Sequence, residues 1–100
     1  MTITIDNYSA EGPFPSADNL LSQSGVYVIL GRNGGNNYDV VDVGQSEDVR
    51  SRVSNHDRAP CWKQRGYPEL TVAAIYLPHH QLDAVETSIR QRYNPPCGVY

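Results

Sequence analysis

The chain carries a phenol, a guanidinium, an imidazole and a carboxylate that could act together on one small molecule or ion. These side chains belong to Tyr27, Arg52, His56 and Glu86. An arginine can bind a phosphate through two parallel hydrogen bonds, and carboxylate oxygens are preferred ligands of hard cations such as Mg²⁺. A histidine can transfer a proton near neutral pH or contact a phosphate. The residue types therefore permit chemistry on a phosphate ester.

Each of these residues also has a purely structural explanation. Tyr27 could be a core aromatic residue, and Arg52 could be a solvated residue on a helix. Glu86 could pair with Arg90, four residues later on the same helix. His56, near the end of a predicted helix, could interact with the helix dipole and need no chemistry.

Three apolar runs predict the strands that would position the candidate residues. Residues 25–30 (GVYVIL) and 38–43 (YDVVDV) flank a turn rich in Gly and Asn, which predicts an antiparallel hairpin. Residues 70–77 (LTVAAIYL) predict a third strand. Residues 2–5 alternate Thr and Ile and suit a short strand, whereas residues 11–15, with Gly and Pro, read as a connector.

The helix signals lie between and after these strands. Ser16 could cap a short helix, and Ser46 could cap a second one that extends to about His56. Residues 57–69 read as a long loop. Residues 79–93 predict a helix with one apolar stripe. We therefore expect an α+β fold: a small three-stranded sheet, antiparallel or mixed, flanked by helices. Residues 1–24 would extend a core of residues 25–98, within a single domain spanning 1–100.

Composition limits the functional classes in a different way. The net charge of −3 argues against non-specific nucleic-acid binding by the molecule as a whole. Residues 49–67, however, hold five of the eight cationic side chains and only one acidic residue. The candidate nucleic-acid contacts are Arg50, Arg58, Lys63 and Arg65, in addition to Arg52. An ordinary scatter of surface charge is the alternative explanation.

The cysteines and the N-terminus bear on location. Cys61 and Cys97 match no metal-ligand spacing, and the first residues resemble neither a secretory signal nor a membrane span. We therefore expect a cytoplasmic protein that does not enter a membrane and has two free thiols. A disulfide between Cys61 and Cys97 is the less favoured alternative.

Several motifs together resemble the GIY-YIG nuclease superfamily. Gly25-Val26-Tyr27 and Asp42-Val43-Gly44 are similar to the paired tripeptides for which that superfamily is named. The segment 44–52 (GQSEDVRSR) fits the pattern that places an arginine after the second tripeptide. His56 and the segment 86–96 (ETSIRQRYNPP) also resemble family features, and the likeness extends over about residues 24–98.

The resemblance implies a metal-dependent endonuclease that hydrolyses DNA. Glu86 would bind one Mg²⁺ or Mn²⁺ ion, and Arg52 would bind the scissile phosphate. Tyr27 would orient or deprotonate the attacking water, and His56 would be a second acid/base group or a phosphate ligand. A protein partner could supply specificity for DNA, because family nucleases usually carry an added DNA-binding domain.

One departure from the family pattern bears directly on activity. Asp42 stands where the family has its second tyrosine, and the two side chains differ in pKa by about six units. Asp42 could abolish the chemistry, or it could supply a second catalytic, metal-binding oxygen beside Glu86. The alternative function is a degenerate module that binds nucleic acid or a protein without cutting. A third alternative is an unrelated α+β domain.

Overall fold

A five-stranded antiparallel sheet forms the centre of the protein. The structure, a computed structural model, describes residues 1–98. The strands are β1 (Thr2–Ile5), β2 (Tyr8–Phe14), β3 (Gly25–Arg32), β4 (Asp39–Ser46) and β5 (Glu69–Tyr76). The helices of the described residues are α1 (Val49–Ser54), α2 (Ala59–Gln64) and α3 (Leu82–Tyr93), with 3-10 turns at Ala17–Asn19 and His79–Gln81. The α+β class expected from the sequence is confirmed.

The order of the strands is β1-β2-β5-β3-β4, and every neighbouring pair is antiparallel. The predicted hairpin of β3 and β4 is present. Strand β3 lies between β4 and β5, and its side chains are buried from Gly25 to Gly31. This central position explains why the β3 segment is apolar at every step instead of alternating with polar residues.

The sheet has five strands, so the expectation of three was wrong. The N-terminal segment supplies the two additional strands, because β1 pairs with β2 and β2 pairs with β5. Residues 11–15 were expected to be a connector, but β2 extends to Phe14. The pairing of β2 with β5 shifts register between Glu11 and Phe14, and Pro13 lies within that irregular stretch. Proline is tolerated in a strand at such an irregularity because its missing N–H breaks no regular ladder bond.

The helices differ from expectation mainly at their ends. Helix α1 begins after Asp48, whose side chain accepts a hydrogen bond from the backbone N–H of Ser51. Ser46 therefore does not cap it, and lies at the end of β4. The predicted loop of residues 57–69 contains the short helix α2. Ser16 caps the first 3-10 turn, as expected.

The two faces of the sheet have separate apolar cores. Tyr27 and Ile29 of β3 pack with Val49 of α1 and Trp62 of α2 on one face. Val28 and Leu30 pack on the other face with the apolar stripe of α3, formed by Leu82, Val85 and Ile89. No helix in residues 1–98 is long and apolar enough to cross a membrane.

Cys61 and Cys97 form a disulfide, so the expectation of two free thiols was wrong. The Cα atoms of the two residues are 6.0 Å apart although 36 positions separate them in the sequence. The bond connects α2 to the segment that follows α3. Residue spacing alone did not indicate the pairing because it results from how these two segments pack beside β4.

Candidate active site beside strand β4

A cavity of about 250 Å³ opens beside Gly44 of strand β4. It brings together the three side chains on which the sequence interpretation depends: Tyr27 from β3, Arg52 from α1 and Glu86 from α3. The other lining residues are Gly44, Gln45 and Arg58. The cavity is therefore formed by both helical layers, which meet around the edge of the sheet at β4.

Tyr27 lies on β3, an interior strand of the sheet, and only 1% of its surface is exposed. Its pairing partner on β4 is Gly44. A β-carbon at position 44 would overlap the hydroxyl and the ring of Tyr27. The glycine of the second tripeptide is thus required sterically, because it leaves room for the phenol to reach the cavity.

His56 orients the hydroxyl of Tyr27 from the end of α1. Its Nε2 forms a short hydrogen bond with the Tyr27 hydroxyl, and its Nδ1 accepts a hydrogen bond from the backbone N–H of Arg58 at 3.0 Å. A neutral ring whose Nδ1 is an acceptor carries its proton on Nε2. We therefore assign His56 Nε2–H as the donor to the Tyr27 oxygen, which leaves the hydroxyl proton of Tyr27 available to a group in the cavity.

Burial and nearby cations shift the pKa values of this pair. Burial, followed by the charges of Arg52 and Arg58, lowers the pKa of His56 to about 4. Burial raises the pKa of Tyr27 to about 12, although Arg58 and Arg52 act in the opposite direction. At neutral pH both groups are uncharged. His56 therefore serves as a hydrogen-bond donor, and Tyr27 would need a nearby cation before it could lose its proton.

Arg52 reaches the cavity from α1 and forms an ion pair at its rim. Its Nη2 is 2.9 Å from Oδ1 of Asp57, and both side chains are accessible to solvent, 38% and 76% exposed respectively. The hydrogen bond from Arg52 holds the pKa of Asp57 below its usual value. An incoming phosphate would compete with an exposed carboxylate for this guanidinium, and exposed ion pairs contribute little to stability.

Glu86 is the carboxylate that lines the cavity. Its Oε1 accepts a hydrogen bond from Gln45 Nε2, and its Oε2 accepts one from Arg90 Nε, each at 3.0 Å. The same nitrogen of Gln45 also donates to Asp83. Within residues 1–98 no group of three or more His, Cys, Asp and Glu side chains could hold a metal ion. A divalent cation at Glu86 would therefore take most of its ligands from water and phosphate, as Mg²⁺ commonly does.

Asp42 occupies a buried structural position, so of the two possibilities raised for it, a second catalytic, metal-binding oxygen beside Glu86 is not the one that its surroundings allow. Its side chain is completely buried and does not line the cavity. Oδ2 accepts hydrogen bonds from Arg58 Nε and Trp62 Nε1, both at 2.8 Å, and Oδ1 accepts one from Arg90 Nη2 at 3.1 Å. The carboxylate is already saturated with donors. It fixes α2 and α3 to strand β4 and offers no oxygen to a metal.

The cations expected to contact nucleic acid fall into two groups. Arg58 lines the cavity and also binds Asp42. Arg50, Lys63 and Arg65 are exposed and do not belong to the cavity lining. They lie on or beside α1 and α2, the helices that carry Arg52 and Arg58.

Two contributors to the site were missed at the sequence level. Gln45 lines the cavity, and its place directly after Gly44 was the only available signal. The contact between Arg90 and Asp42 was also missed, although the pairing of Arg90 with Glu86 followed from helical spacing. Trp62 has 8% of its surface exposed, and its indole N–H donates a hydrogen bond to Asp42, so it packs α2 against the buried carboxylate.

Comparison of this chain with protein-family models, with curated proteins and with solved structures finds no match.

Proposed function

We propose that this protein is a metal-dependent endonuclease of the GIY-YIG type that hydrolyses DNA phosphodiester bonds. The observation that supports this proposal is the meeting of Tyr27, Arg52 and Glu86 around one cavity, with Gly44 shaped to admit the phenol. These groups come from three different elements, so their convergence is a property of the fold. Their chemical types match the needs of phosphodiester hydrolysis.

The phosphate would be bound by the guanidinium groups of the cavity. Arg52 would exchange its exposed partner Asp57 for the scissile phosphate, and its planar fork suits two parallel hydrogen bonds. Arg58, held by the buried carboxylate of Asp42, adds a second positive charge. Both charges would stabilise the negative charge that develops on the phosphate in the transition state.

The carboxylate of Glu86 would hold one divalent cation, Mg²⁺ or Mn²⁺. Glu86 is the one carboxylate of the cavity wall and could supply an oxygen ligand, and water and the bound phosphate would complete the coordination of the ion. When bound, the ion supplies Lewis-acid stabilisation and lowers the pKa of nearby acids. The side chains of the cavity would fix the position of the phosphate relative to the ion.

Tyr27 would position the attacking water. Because His56 Nε2–H donates to the phenol oxygen, the O–H of Tyr27 can bond a water or a phosphate oxygen in the cavity. A high pKa of about 12 keeps the phenol protonated in the metal-free protein. Its fixed direction would reduce the entropy cost of aligning the nucleophile with the phosphorus atom.

Nicking of supercoiled plasmid in the presence of Mg²⁺ or Mn²⁺ tests this proposal. Glu86→Gln keeps the shape of the side chain but removes its charge, and Arg52→Ala removes the phosphate ligand. We expect each to lower the nicking rate by about 100-fold or more. The matched controls are Glu47→Gln and Arg92→Ala, at exposed positions outside the cavity lining. No nicking by the wild type, or equal nicking by the Glu86→Gln variant, would rule out the nuclease.

A binding module without nuclease activity is the second candidate. Both carboxylate oxygens of Glu86 accept hydrogen bonds from side chains of the protein itself. This favours a module without a bound metal ion, because a cation would have to compete with these donors for the oxygens. Fluorescence anisotropy with labelled duplex DNA separates the two. Salt-dependent binding without nicking supports the module. Absence of binding at low salt points to a protein partner.

A further inference from the structure

We propose that the Cys61–Cys97 disulfide is a redox switch for the cavity: the oxidised bond holds the cavity walls in place, and reduction releases them. Its effect on cleavage depends on the proposed nuclease function. Its effect on the position of α2 and of the segment after α3 does not. The switch follows from what the two cysteines touch on each side of the bond.

On the C-terminal side, the disulfide secures a segment that lies directly on the buried ion cluster. The backbone N–H of Cys97 donates to the carbonyl of Val41 on β4 at 3.0 Å. The next residue, Gly98, has a positive φ of 75°. A β-carbon at Gly98 would be 2.8 Å from Oδ1 of Asp42 and 3.0 Å from Nε of Arg58. This segment therefore covers the contact that orients Arg58.

On the other side, the disulfide secures helix α2. The neighbour of Cys61 is Trp62, whose indole N–H bonds Asp42 and whose ring lies 4.8 Å from the ring of His56. Arg58 precedes the first residue of α2 and reaches the cavity. The helix has only six residues, far fewer than the roughly 12–15 that an isolated helix needs in water. Its position must therefore be maintained by tertiary contacts and by this covalent bond.

The two cysteine residues differ in their access to solvent. Cys97 is completely buried, whereas Cys61 is partly exposed. A thiolate of an external dithiol would attack Sγ of Cys61, form a mixed disulfide and release Cys97 as a thiolate that takes up a proton. The second thiolate of the dithiol would then attack the dithiol sulfur that is bonded to Cys61. This closes the dithiol into a cyclic disulfide and releases Cys61 as a thiolate. Two electrons pass to the protein, and the dithiol becomes a disulfide.

Reduction would disturb two contacts of the site together. Arg58 would lose the covering segment that holds it against Asp42. The backbone N–H of Arg58 would no longer be fixed against His56 Nδ1, so the orientation of Tyr27 would be less well defined. A shift of about 1 Å in such groups can lower a catalytic rate by about 100-fold. We expect the reduced protein to nick DNA about 10- to 100-fold more slowly than the oxidised protein.

The test compares the full chain, oxidised and after dithiothreitol, with a Cys61→Ser/Cys97→Ser double variant. Plasmid nicking with Mg²⁺ reports on the site. Trp62 is the only tryptophan, so acrylamide quenching of its fluorescence reports on α2 separately. We expect reduction to increase the quenching of Trp62 and to slow nicking, and reoxidation to reverse both changes. The double variant should show the quenching and nicking of the reduced protein, with or without dithiothreitol.

Several results would overturn the switch. Equal nicking and equal quenching in the oxidised and reduced forms would show that the bond does not maintain the cavity. Loss of the sheet signal in far-ultraviolet circular dichroism on reduction would show that the bond maintains the whole fold instead. If no form nicks DNA, the nuclease proposal fails, and the change in Trp62 quenching by itself decides whether the bond controls α2.

Discussion

The hydroxyl of Tyr27 lies against Gly44, its pairing partner across the β3–β4 hairpin. The space that a side chain would fill at position 44 is taken by the phenol. The two positions are far apart in sequence, but the register of the hairpin puts them opposite each other. The register of one strand pair therefore determines whether the phenol can reach the cavity.

Replacing Gly44 by alanine should displace Tyr27 from the cavity. The added methyl group overlaps the phenol, and overpacking a core typically costs about 1–3 kcal/mol of unfolding free energy. We expect a nicking rate lower by about 100-fold, because the hydroxyl moves by an ångström or more. Thermal melting and plasmid nicking measure the two effects. Gly35→Ala is the control, since nothing lies within 4 Å of a β-carbon there. Unchanged nicking by Gly44→Ala would mean that the phenol has no positional role.

His56 should make the protein less stable in mild acid. Its pKa in the folded protein is about 4, below the ordinary value of 6.5. Between those pH values the unfolded chain binds a proton that the folded chain does not, so stability falls as the pH decreases. The loss should approach about 3 kcal/mol below pH 4.

Urea denaturation between pH 4 and pH 7, on the wild type and on a His56→Gln variant, checks this prediction. The variant should lose the part of the slope that His56 causes. His79 and His80 are exposed and are present in both proteins, so their contributions cancel. Parallel stability curves for the two proteins would show that His56 titrates normally.

Asp42→Asn should destabilise the fold strongly although it changes the shape of the side chain very little. The substitution removes the buried charge that faces Arg58 and Arg90. Breaking a buried ion pair by removing one partner costs about 3–5 kcal/mol. Chemical denaturation measures the loss, and Asp18→Asn at an exposed position is the matched control. A loss below about 1 kcal/mol would mean that the cluster contributes no more than a surface ion pair does.

Asp57→Asn should strengthen DNA binding without much effect on stability. Asp57 is an exposed partner of Arg52 at the cavity rim, so under the proposed function its carboxylate would compete with an incoming phosphate. We expect affinity for a labelled DNA duplex to rise about two- to five-fold at low salt, and the gain to shrink as salt screens the charges. Fluorescence anisotropy at two ionic strengths measures both. Weaker binding by this variant would indicate that Asp57 positions Arg52 instead of competing for it.

Local patterns in the sequence were sufficient to predict the strands and the helix that carry Tyr27 and Glu86. The hairpin of β3 and β4 follows from two apolar runs around a turn of Gly and Asn, and the apolar stripe of α3 follows from three- and four-residue spacing. These signals are local because backbone geometry repeats every two residues in a strand and about every 3.6 in a helix. The resemblance of residues 25–27, 42–52 and 86–96 to family patterns used the same local information. It selected Tyr27, Arg52 and Glu86, which line one cavity in the structure.

The tertiary structure decided the features that depend on contacts between distant segments. The pairing of β2 with β5, the disulfide between α2 and the segment after α3, and the surroundings of Asp42 all join residues well separated in the chain. No periodicity reports such contacts, because they form only when segments distant in the sequence come together in the folded sheet and its helical layers. An aspartate at position 42 could equally have faced a metal or two arginines. Burial beside Arg58 and Arg90 gave it the second role, because a buried carboxylate needs opposite charges and hydrogen-bond donors around it.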